Sequence, residues 1–259
     1  MIDLSGTHGV IVGVSNKRSL AWAIAQAMDA VGAQLTLSYA TERFEGNVRE
    51  LGATLRQPPL MVPCDVTSDA QVRDLFATVE RERDGLDFLV HAVAFASRAA
   101  LSEPFLETSR EDFLQSLDIS AYSLLALARA AAPLMDQRGG GSILTLTYLG
   151  SQRVFPNYNV MGVAKAALEA VVRYLASDLG SRNIRVNAVS AGPIKTLSAA
   201  GIPGFSQILH HYRDRSPLGR TIEAAEVAAE TARFLLGPGG RGVTGEVLVV
   251  DGGFHSTGM

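Results

Sequence analysis

The feature that most constrains the fold of this chain is a regular alternation between short apolar runs and longer stretches of helical period. Runs such as Gly9–Val14 and Gly245–Val250 are almost continuously hydrophobic, as is typical of parallel strands covered by helices on both faces. The pattern predicts strands at residues 8–14, 34–39, 60–63, 86–91, 142–147, 184–190 and 246–250. We therefore expect an α/β fold: a single-domain, Rossmann-type, doubly wound parallel sheet of about seven strands, with helices on both faces.

Composition argues against several classes of protein. The 259 residues are 47% hydrophobic, and 23 basic against 26 acidic side chains give a formal net charge of −3. Disordered chains are less hydrophobic, and proteins that contact nucleic-acid phosphates usually carry a basic excess, so we expect no nucleic-acid partner. No apolar run reaches the roughly 18 residues of a membrane span, and no signal segment is recognised, so we expect no membrane partner and a cytoplasmic location.

Cysteine and histidine give no sign of a metal site. The single cysteine, Cys64, excludes an intrachain disulfide and is expected to be a small buried side chain. The histidines show no ligand spacing with acidic residues, so we expect structural or surface roles for all five. They are His8, His91, His210, His211 and His255.

The turn after the first strand is a candidate dinucleotide site. The chain runs from Gly13 past Ser19 and Ala21 into a helix, which places backbone N–H groups and a helix dipole where a pyrophosphate could sit. Only one glycine of the usual three-glycine fingerprint is present, and the two small residues take the other places of close approach. A turn that serves only strand and helix packing would have the same sequence.

Residues after the second and third strands leave the type of dinucleotide open. Asp65 could accept a hydrogen bond from an adenine amino group, although a helix dipole also stabilises an aspartate at this position. No acid ends the second strand to bind a ribose 2′-hydroxyl, and Arg43 could meet a 2′-phosphate or remain a solvated charge.

Tyr158 and Lys165 give the strongest chemical signal. Seven residues of helix turn through about 700°, so both side chains lie on one face about 10 Å apart. Tyr158 can direct its hydroxyl at a reacting carbonyl oxygen. Lys165 can hold the ribose hydroxyls of a nicotinamide nucleotide and, as a nearby cation, is expected to lower the tyrosine pKa.

Two longer segments bear on organisation. The helix after Tyr158 is apolar around most of its circumference, which predicts burial on more than one side by another subunit or by a large flap. Residues 195–217, hereafter the flap, carry Ile202, Phe205 and Ile208 between a strand and the next helix and are expected to cover a substrate. With no repeat or linker elsewhere, residues 1–259 are expected to form one dinucleotide-binding catalytic domain.

Further motifs complete a resemblance to a known family. They are Gly13-x5-Ser19-x-Ala21, Thr145–Gly150, Tyr158-x2-Met161-x3-Lys165, Val186–Thr196 with its Gly192-Pro193 pair, and Val249–Phe254. Over essentially its whole length the chain resembles the short-chain dehydrogenase/reductases, and among them the bacterial enoyl-acyl-carrier-protein reductases of the divergent branch. The resemblance implies a homotetrameric, NADH-dependent oxidoreductase of fatty acid biosynthesis. Such an enzyme reduces trans-2-enoyl thioesters on acyl carrier protein, the last step of the elongation cycle.

The same resemblance implies roles for individual residues. Tyr158 matches the tyrosine that stabilises an enolate oxygen, Tyr148 a second active-site tyrosine, and Lys165 the ribose-binding lysine, so these three are the candidate catalytic residues. The positions that match cofactor contacts are Gly13, Ser19, Leu20, Ala40, Asp65, Val66, Val93, Lys165, Ile194, Lys195, Thr196, Leu197 and Ser198. The candidate substrate contacts are Ala96, Tyr148, Tyr158, Met161, Phe205 and Ile208.

The sequence leaves alternatives for the cofactor, for the role of Tyr148 and for the reaction. Family members commonly have Gln at the position of Ala40, so NADPH is not excluded beside NADH. Without the resemblance, the sequence favours Tyr148 as an aromatic strand-end residue that packs on its neighbours. A 3-oxoacyl-thioester or other carbonyl reductase is an alternative function. Such enzymes have a Ser thirteen residues before the Tyr, and Thr145 supplies a hydroxyl at that position in this chain. A non-catalytic dinucleotide-sensing protein is a further alternative, which retention of both Tyr158 and Lys165 disfavours.

An acidic carrier protein would require basic residues at the mouth of the site. The candidates are Arg98, Arg153, Arg213 and Arg215.

Overall fold

The computed structural model describes residues 2–196, 199 and 202–257, and within them the predicted strands form one parallel sheet. Its order is β3-β2-β1-β4-β5-β6-β7. The strands are β1 (His8–Val12), β2 (Gln34–Tyr39), β3 (Leu60–Pro63), β4 (Phe88–His91), β5 (Gly141–Thr147), β6 (Ile184–Ala191) and β7 (Val247–Val250). The chain builds outward from β1 in one direction and then from β4 in the other, which confirms the doubly wound fold.

Helices connect successive strands and cover both faces of the sheet. They are α1 (Leu20–Asp29), α2 (Glu42–Gly52), α3 (Asp69–Glu82), α4 (Arg98–Ser102), α5 (Arg110–Leu117), α6 (Ser123–Gln137), α7 (Asn159–Leu179), α8 (Phe205–Arg215) and α9 (Arg233–Leu236). Side-chain caps start several of them, as the Oγ of Ser19 accepts from the Trp22 N–H at 3.2 Å and that of Ser68 from the Gln71 N–H at 3.4 Å. Such caps satisfy N–H groups that have no partner within the helix.

The core consists of two layers, one on each face of the sheet. Along β1, Val10 and Val12 join the layer that includes residues of α3, α6 and α7, whereas Ile11 joins the layer that includes residues of α1 and α9. This division follows from the alternation of side chains along a strand. Cys64 is 1% exposed in the first layer, and burial raises the pKa of its thiol to about 11, so it is the buried side chain expected from the sequence.

One helical stretch, Arg110–Gln137, is long and apolar enough to cross a membrane by length and composition alone. It joins α5 to α6 through a π-helical turn, Asp118–Tyr122. More than half of its most apolar part, 56%, is buried, and Leu124 and Leu127 are completely enclosed in the core. Its apolarity is therefore explained by packing against the sheet.

β1 ends two residues earlier than its apolar run because of a close backbone contact. Gly13 has φ +104, and a Cβ at this position would clash with the carbonyl oxygen of Ala92 at the end of β4. Only glycine combines this φ with this approach at low cost. The contact brings together the carboxyl ends of β1 and β4, where the direction of sheet building reverses and where open α/β sheets bind ligands.

Replacing Gly13 by Ala is expected to lower the free energy of unfolding by roughly 1–3 kcal/mol, because the new methyl group is both strained and obstructed. Gly46 in α2 is a matched control, since it has no positive φ and no atom within 4 Å of its potential Cβ. Gly46→Ala should instead raise the unfolding free energy by about 0.5–1 kcal/mol. Urea unfolding of both variants tests the contrast, and a neutral Gly13→Ala would contradict the close-contact account.

Candidate active site

A cavity of about 970 Å³ opens at the carboxyl ends of the strands. Its lining comes from the segments that follow β1, β2, β4, β5 and β6, together with the start of α7 and part of the flap. The cavity therefore occupies the point at which the sheet changes its direction of winding, the usual place for a ligand in this architecture.

Most of the residues singled out from the sequence line this cavity. They are Gly13, Ser19, Leu20, Ala40, Val93, Ala96, Tyr148, Tyr158, Met161, Lys165, Ile194, Thr196, Phe205 and Ile208. The other described candidates, Asp65, Val66 and Lys195, are not among its lining residues. Leu197 and Ser198 lie outside the described residues.

The carboxylate of Asp65 is hydrogen-bonded within its own turn. Its Oδ1 accepts from the backbone N–H of Thr67 at 3.0 Å and from the hydroxyl of Thr67 at 2.8 Å, in the turn that precedes α3. This geometry matches the alternative reading of Asp65 as a turn residue near a helix N-terminus. An adenine contact for Asp65 stays a prediction.

The cavity combines a helix N-terminus with a positive lining. α1 begins beside Gly13 and has no acidic residue in its first turn, so its dipole is not neutralised by a carboxylate there. Among the described lining residues the charged side chains are Lys165 and Arg98, and none is acidic. Backbone N–H groups with nearby cations suit a diphosphate, so this end of the cavity fits the pyrophosphate of a dinucleotide.

Lys165 is the buried cation of the site. Its ammonium donates to the carbonyl oxygen of Leu146 at 2.8 Å, and the side chain is only 6% exposed. Burial lowers the pKa of Lys165 to about 8, while the carboxylate of Glu169 opposes this shift. An ammonium has three donors, so further donors remain for ribose hydroxyls.

Glu169 is a site residue that the sequence reasoning missed. It lies one helical turn after Lys165 on α7 and is 5% exposed, and the hydroxyl of Thr147 donates to its Oε1 at 2.7 Å. A buried carboxylate needs such partners. The four-residue spacing from Lys165 was the available signal, since residues i and i+4 share a helix face.

Tyr158 precedes α7 instead of lying within it. The residues on either side, Asn157 and Asn159, have positive φ angles of 63° and 41°. Their side-chain amides hold the turn: Asn157 donates to the Pro203 carbonyl oxygen of the flap at 3.0 Å, and Asn159 donates to that of Glu103 at 2.9 Å. Asparagine tolerates such backbone angles better than most residues, so these two positions tie the tyrosine to neighbouring segments.

The expected lowering of the Tyr158 pKa is wrong for this arrangement. The side chain is 8% exposed, and burial raises the pKa of its phenol, with Tyr148 and Glu169 adding to the shift. Desolvation disfavours the charged phenolate form. Tyr158 is therefore a neutral phenol and a hydrogen-bond donor at ordinary pH.

Thr145 does not offer its hydroxyl to the cavity. Its side chain is completely buried, and its Oγ1 lies 2.8 Å from Nδ1 of His91. The other ring nitrogen of His91 lies 2.8 Å from the hydroxyl of Ser123, and burial lowers the pKa of His91 to about 3. His91 is thus a neutral structural residue. The described residues also contain no group of His, Cys, Asp and Glu suited to a metal ion.

Tyr148 lies between the cavity and a group of aromatic rings. Its ring centroid is 5.0 Å from that of Tyr158, in an edge-to-face arrangement, and 5.0 Å from that of Phe155. Tyr212 and Phe254 extend the group away from the cavity. We refer to these five residues as the aromatic cluster. Tyr148 is therefore both a lining residue and a packing residue.

Comparison with known proteins identifies close relatives. Residues 13–255 match the family model described as Enoyl-(Acyl carrier protein) reductase. The NADH-dependent enoyl-acyl-carrier-protein reductase FabI of Bacillus subtilis is 51% identical over 256 residues, which cover 98% of each chain. The NADPH-dependent FabI of Staphylococcus aureus is 47% identical and covers 99% of each chain. The Bacillus cereus enzyme solved with NADP+ and indole naphthyridinone superposes with a TM-score of 0.96, at 51% identity and full coverage of both chains.

Replacing Glu169 by Gln is expected to lower the pKa of Lys165 below about 8, because the carboxylate that favours the ammonium is removed while the burial remains. The chain has three lysines, Lys17, Lys165 and Lys195, so 13C-lysine NMR titration can follow Lys165 once Lys165→Arg assigns its signal. Asp178→Asn, an exposed carboxylate on the same helix, is the matched control and should leave the titration unchanged. An unchanged midpoint in Glu169→Gln would refute the coupling.

Proposed function

Because this chain belongs to the enoyl-acyl-carrier-protein reductase family, we propose that it reduces the double bond of trans-2-enoyl thioesters on acyl carrier protein, using the cavity described above. NADH, when bound, supplies the hydride that reaches the β-carbon. The observation that carries the proposal is the position of Tyr158 and Lys165 in one cavity with the N-terminal end of α1. That arrangement provides a place for a dinucleotide and a donor for a thioester oxygen.

Residues at the nucleotide end of the cavity bind and orient the cofactor. The first-turn N–H groups of α1 receive the pyrophosphate, Gly13 allows it a close approach, and Lys165 holds the ribose hydroxyls. Val93 and Ile194, which line the cavity, would form apolar walls for a nicotinamide ring.

Tyr158 and Lys165 stabilise the charge that develops on the substrate. Hydride addition to the β-carbon turns the thioester oxygen into an enolate oxygen, which the Tyr158 phenol stabilises by donating a hydrogen bond. Its raised pKa keeps the donor proton on the phenol. The Lys165 ammonium adds a positive charge in a poorly solvated setting, and a proton then adds to the α-carbon to give the saturated acyl thioester.

The flap and its neighbours provide an apolar compartment for the acyl chain. Phe205 and Ile208 of the flap line the cavity opposite Met161 and Ala96. Ile202 packs against Tyr158 and Met161. Closure of these side chains over the substrate would exclude water from the enolate, which is the function we assign to the flap.

The position of Thr145 disfavours a carbonyl reductase. The Thr145 hydroxyl, which its spacing from Tyr158 made a candidate, is hydrogen-bonded to the buried ring of His91. Thr145 is not among the residues that line the cavity. A purely sensory role would require neither Tyr148 nor Tyr158.

The names of the relatives support NADH as the main cofactor, and the end of β2 leaves room for NADPH. Ala40 lines the cavity and has no side-chain group for a ribose hydroxyl, while Arg43 is exposed in the first turn of α2. No acid ends β2 to repel a 2′-phosphate. Relatives of both preferences, NADH and NADPH, match the chain equally well in length.

We further propose a homotetramer in the cytoplasm. The outer face of α7 carries Val163, Ala166 and Tyr174, the last 76% exposed, and its apolarity would be explained by contact with a second subunit. Sedimentation of the purified chain gives the subunit number.

Tyr158→Phe is expected to reduce turnover of a crotonyl thioester on the order of 10²–10³-fold, because one donor to the enolate oxygen is lost. The assay is NADH or NADPH oxidation followed by nicotinamide absorbance, with crotonyl and acetoacetyl thioesters compared. We expect crotonyl turnover alone, and a higher rate with NADH. Efficient acetoacetyl turnover would replace the proposal by ketone reduction.

Arg98→Glu is expected to lower the ratio of carrier-linked to carrier-free turnover on the order of ten-fold, since it is the exposed cation at the cavity and would face an acidic carrier. A neutral crotonyl N-acetylcysteamine thioester is the carrier-free substrate. Arg81→Glu reverses a charge on α3, away from the cavity, and should leave the ratio unchanged. An unaltered ratio in Arg98→Glu would exclude Arg98 as a carrier-binding residue. The remaining candidates would then be Arg153, Arg213 and Arg215.

A further inference from the structure

The flap helix α8 is anchored by one buried residue, Tyr212. It is 1% exposed, whereas the rest of this helix is at least partly accessible. Its ring stacks on Phe254 with a centroid distance of 3.8 Å and an interplanar angle of 17°. It also lies 6.1 Å from Phe155 and 6.4 Å from Tyr148, with interplanar angles of 27° and 29°. Tyr212 thus connects the flap to the active-site side of the aromatic cluster.

The hydroxyls of Tyr148 and Tyr212 are both enclosed, and neither completes a hydrogen bond to another described group. A buried hydroxyl without a partner is unfavourable. Burial raises the pKa of Tyr148 and the neighbouring Tyr212 adds to this increase, whereas Tyr148 works to lower the pKa of Tyr212. These directions correspond to Tyr148 as donor and Tyr212 as acceptor.

Asp251, the acid whose charge acts on both phenols, is already hydrogen-bonded to other groups. Its carboxylate accepts from the backbone N–H groups of Gly253 and His255 at 2.9 and 2.8 Å, and its Oδ1 faces Nδ1 of His255 at 3.0 Å. Its negative charge raises the pKa of both phenols, which keeps them neutral. The available partner of each phenol is therefore the other phenol.

We propose that Tyr212 is a positioning residue for Tyr148, whose phenol it holds by accepting its hydrogen bond. The ring of Tyr148 meets that of Tyr158 edge to face at 69°, so its orientation determines how the two tyrosines are presented to the substrate. Phe205 and Ile208, on the same helix as Tyr212, line the cavity. The contact of the flap with an acyl chain is thereby linked to the orientation of Tyr148. This inference rests on the proposed enoyl reduction.

The test is a double-mutant cycle on kcat/KM for a crotonyl thioester, with Tyr148→Phe, Tyr212→Phe and the double variant. Tyr212→Phe retains the stacked ring and is expected to lower kcat/KM about five-fold, the effect of one neutral hydrogen bond. The double variant should match Tyr148→Phe alone, because the second hydroxyl acts only through the first. Tyr122→Phe removes an exposed hydroxyl from the π-helical turn, away from the cavity lining, and should be additive with Tyr148→Phe.

Two results would overturn the inference: effects of Tyr148→Phe and Tyr212→Phe that multiply, or a loss in Tyr212→Phe when Tyr148→Phe has none. A crystal structure of the wild type gives a readout that does not depend on the folding of a variant. The two phenol oxygens should lie within about 3.0 Å, and separate partners for each would refute the pairing. If wild type turned over neither crotonyl nor acetoacetyl thioesters, the proposed function would fail while the crystal structure still tested the pairing.

Discussion

The burial of the Lys165 ammonium is the interaction on which the rest of the site depends. An ammonium removed from water is stable only when it is hydrogen-bonded and faces opposite charge. The Leu146 carbonyl oxygen, at the end of β5, accepts the hydrogen bond. Glu169 supplies the opposite charge, and the Thr147 hydroxyl donates a hydrogen bond to its carboxylate. These contacts lock the start of α7 against β5, and so they place Tyr158 and Tyr148 on the same wall of the cavity. The cation that we propose for cofactor binding is thus also a structural constraint.

Around this centre, the chain separates rigid parts from adjustable ones. The sheet ends and α1 are continuous with the two core layers, which suits the binding of a cofactor in one fixed position. The substrate side is built from smaller groups: the turn of Tyr158 held by two asparagine side chains, and a flap helix anchored by Tyr212. Fewer buried contacts allow such elements to open at lower cost. This division matches a reaction in which the nucleotide is held and chains of different length enter and leave.

Periodicity predicted the fold and spacing predicted the pairing of Tyr158 with Lys165, because both signals are local, whereas most other candidate site residues came from the family resemblance. β2 and β3 have their predicted bounds, and Tyr158 and Lys165 share a cavity. β1 ends early because the contact between Gly13 and Ala92 joins residues that are distant in sequence. Glu169 was detectable from its spacing to Lys165. Tyr212 carries no local signal, since only the fold brings it to Tyr148. The direction of the Tyr158 pKa was also inaccessible, because it depends on burial.

The proposed function depends on the arrival of hydride at the β-carbon of an enoyl thioester in this cavity. The most direct measurement uses NADH deuterated at both C4 positions, a crotonyl thioester and NMR of the product. Hydride transfer to the β-carbon is expected to give butyryl thioester with one deuterium at C3 and a solvent-derived proton at C2. A product without deuterium at C3 would contradict it, as would deuterium found only on a carbinol carbon formed from an acetoacetyl thioester.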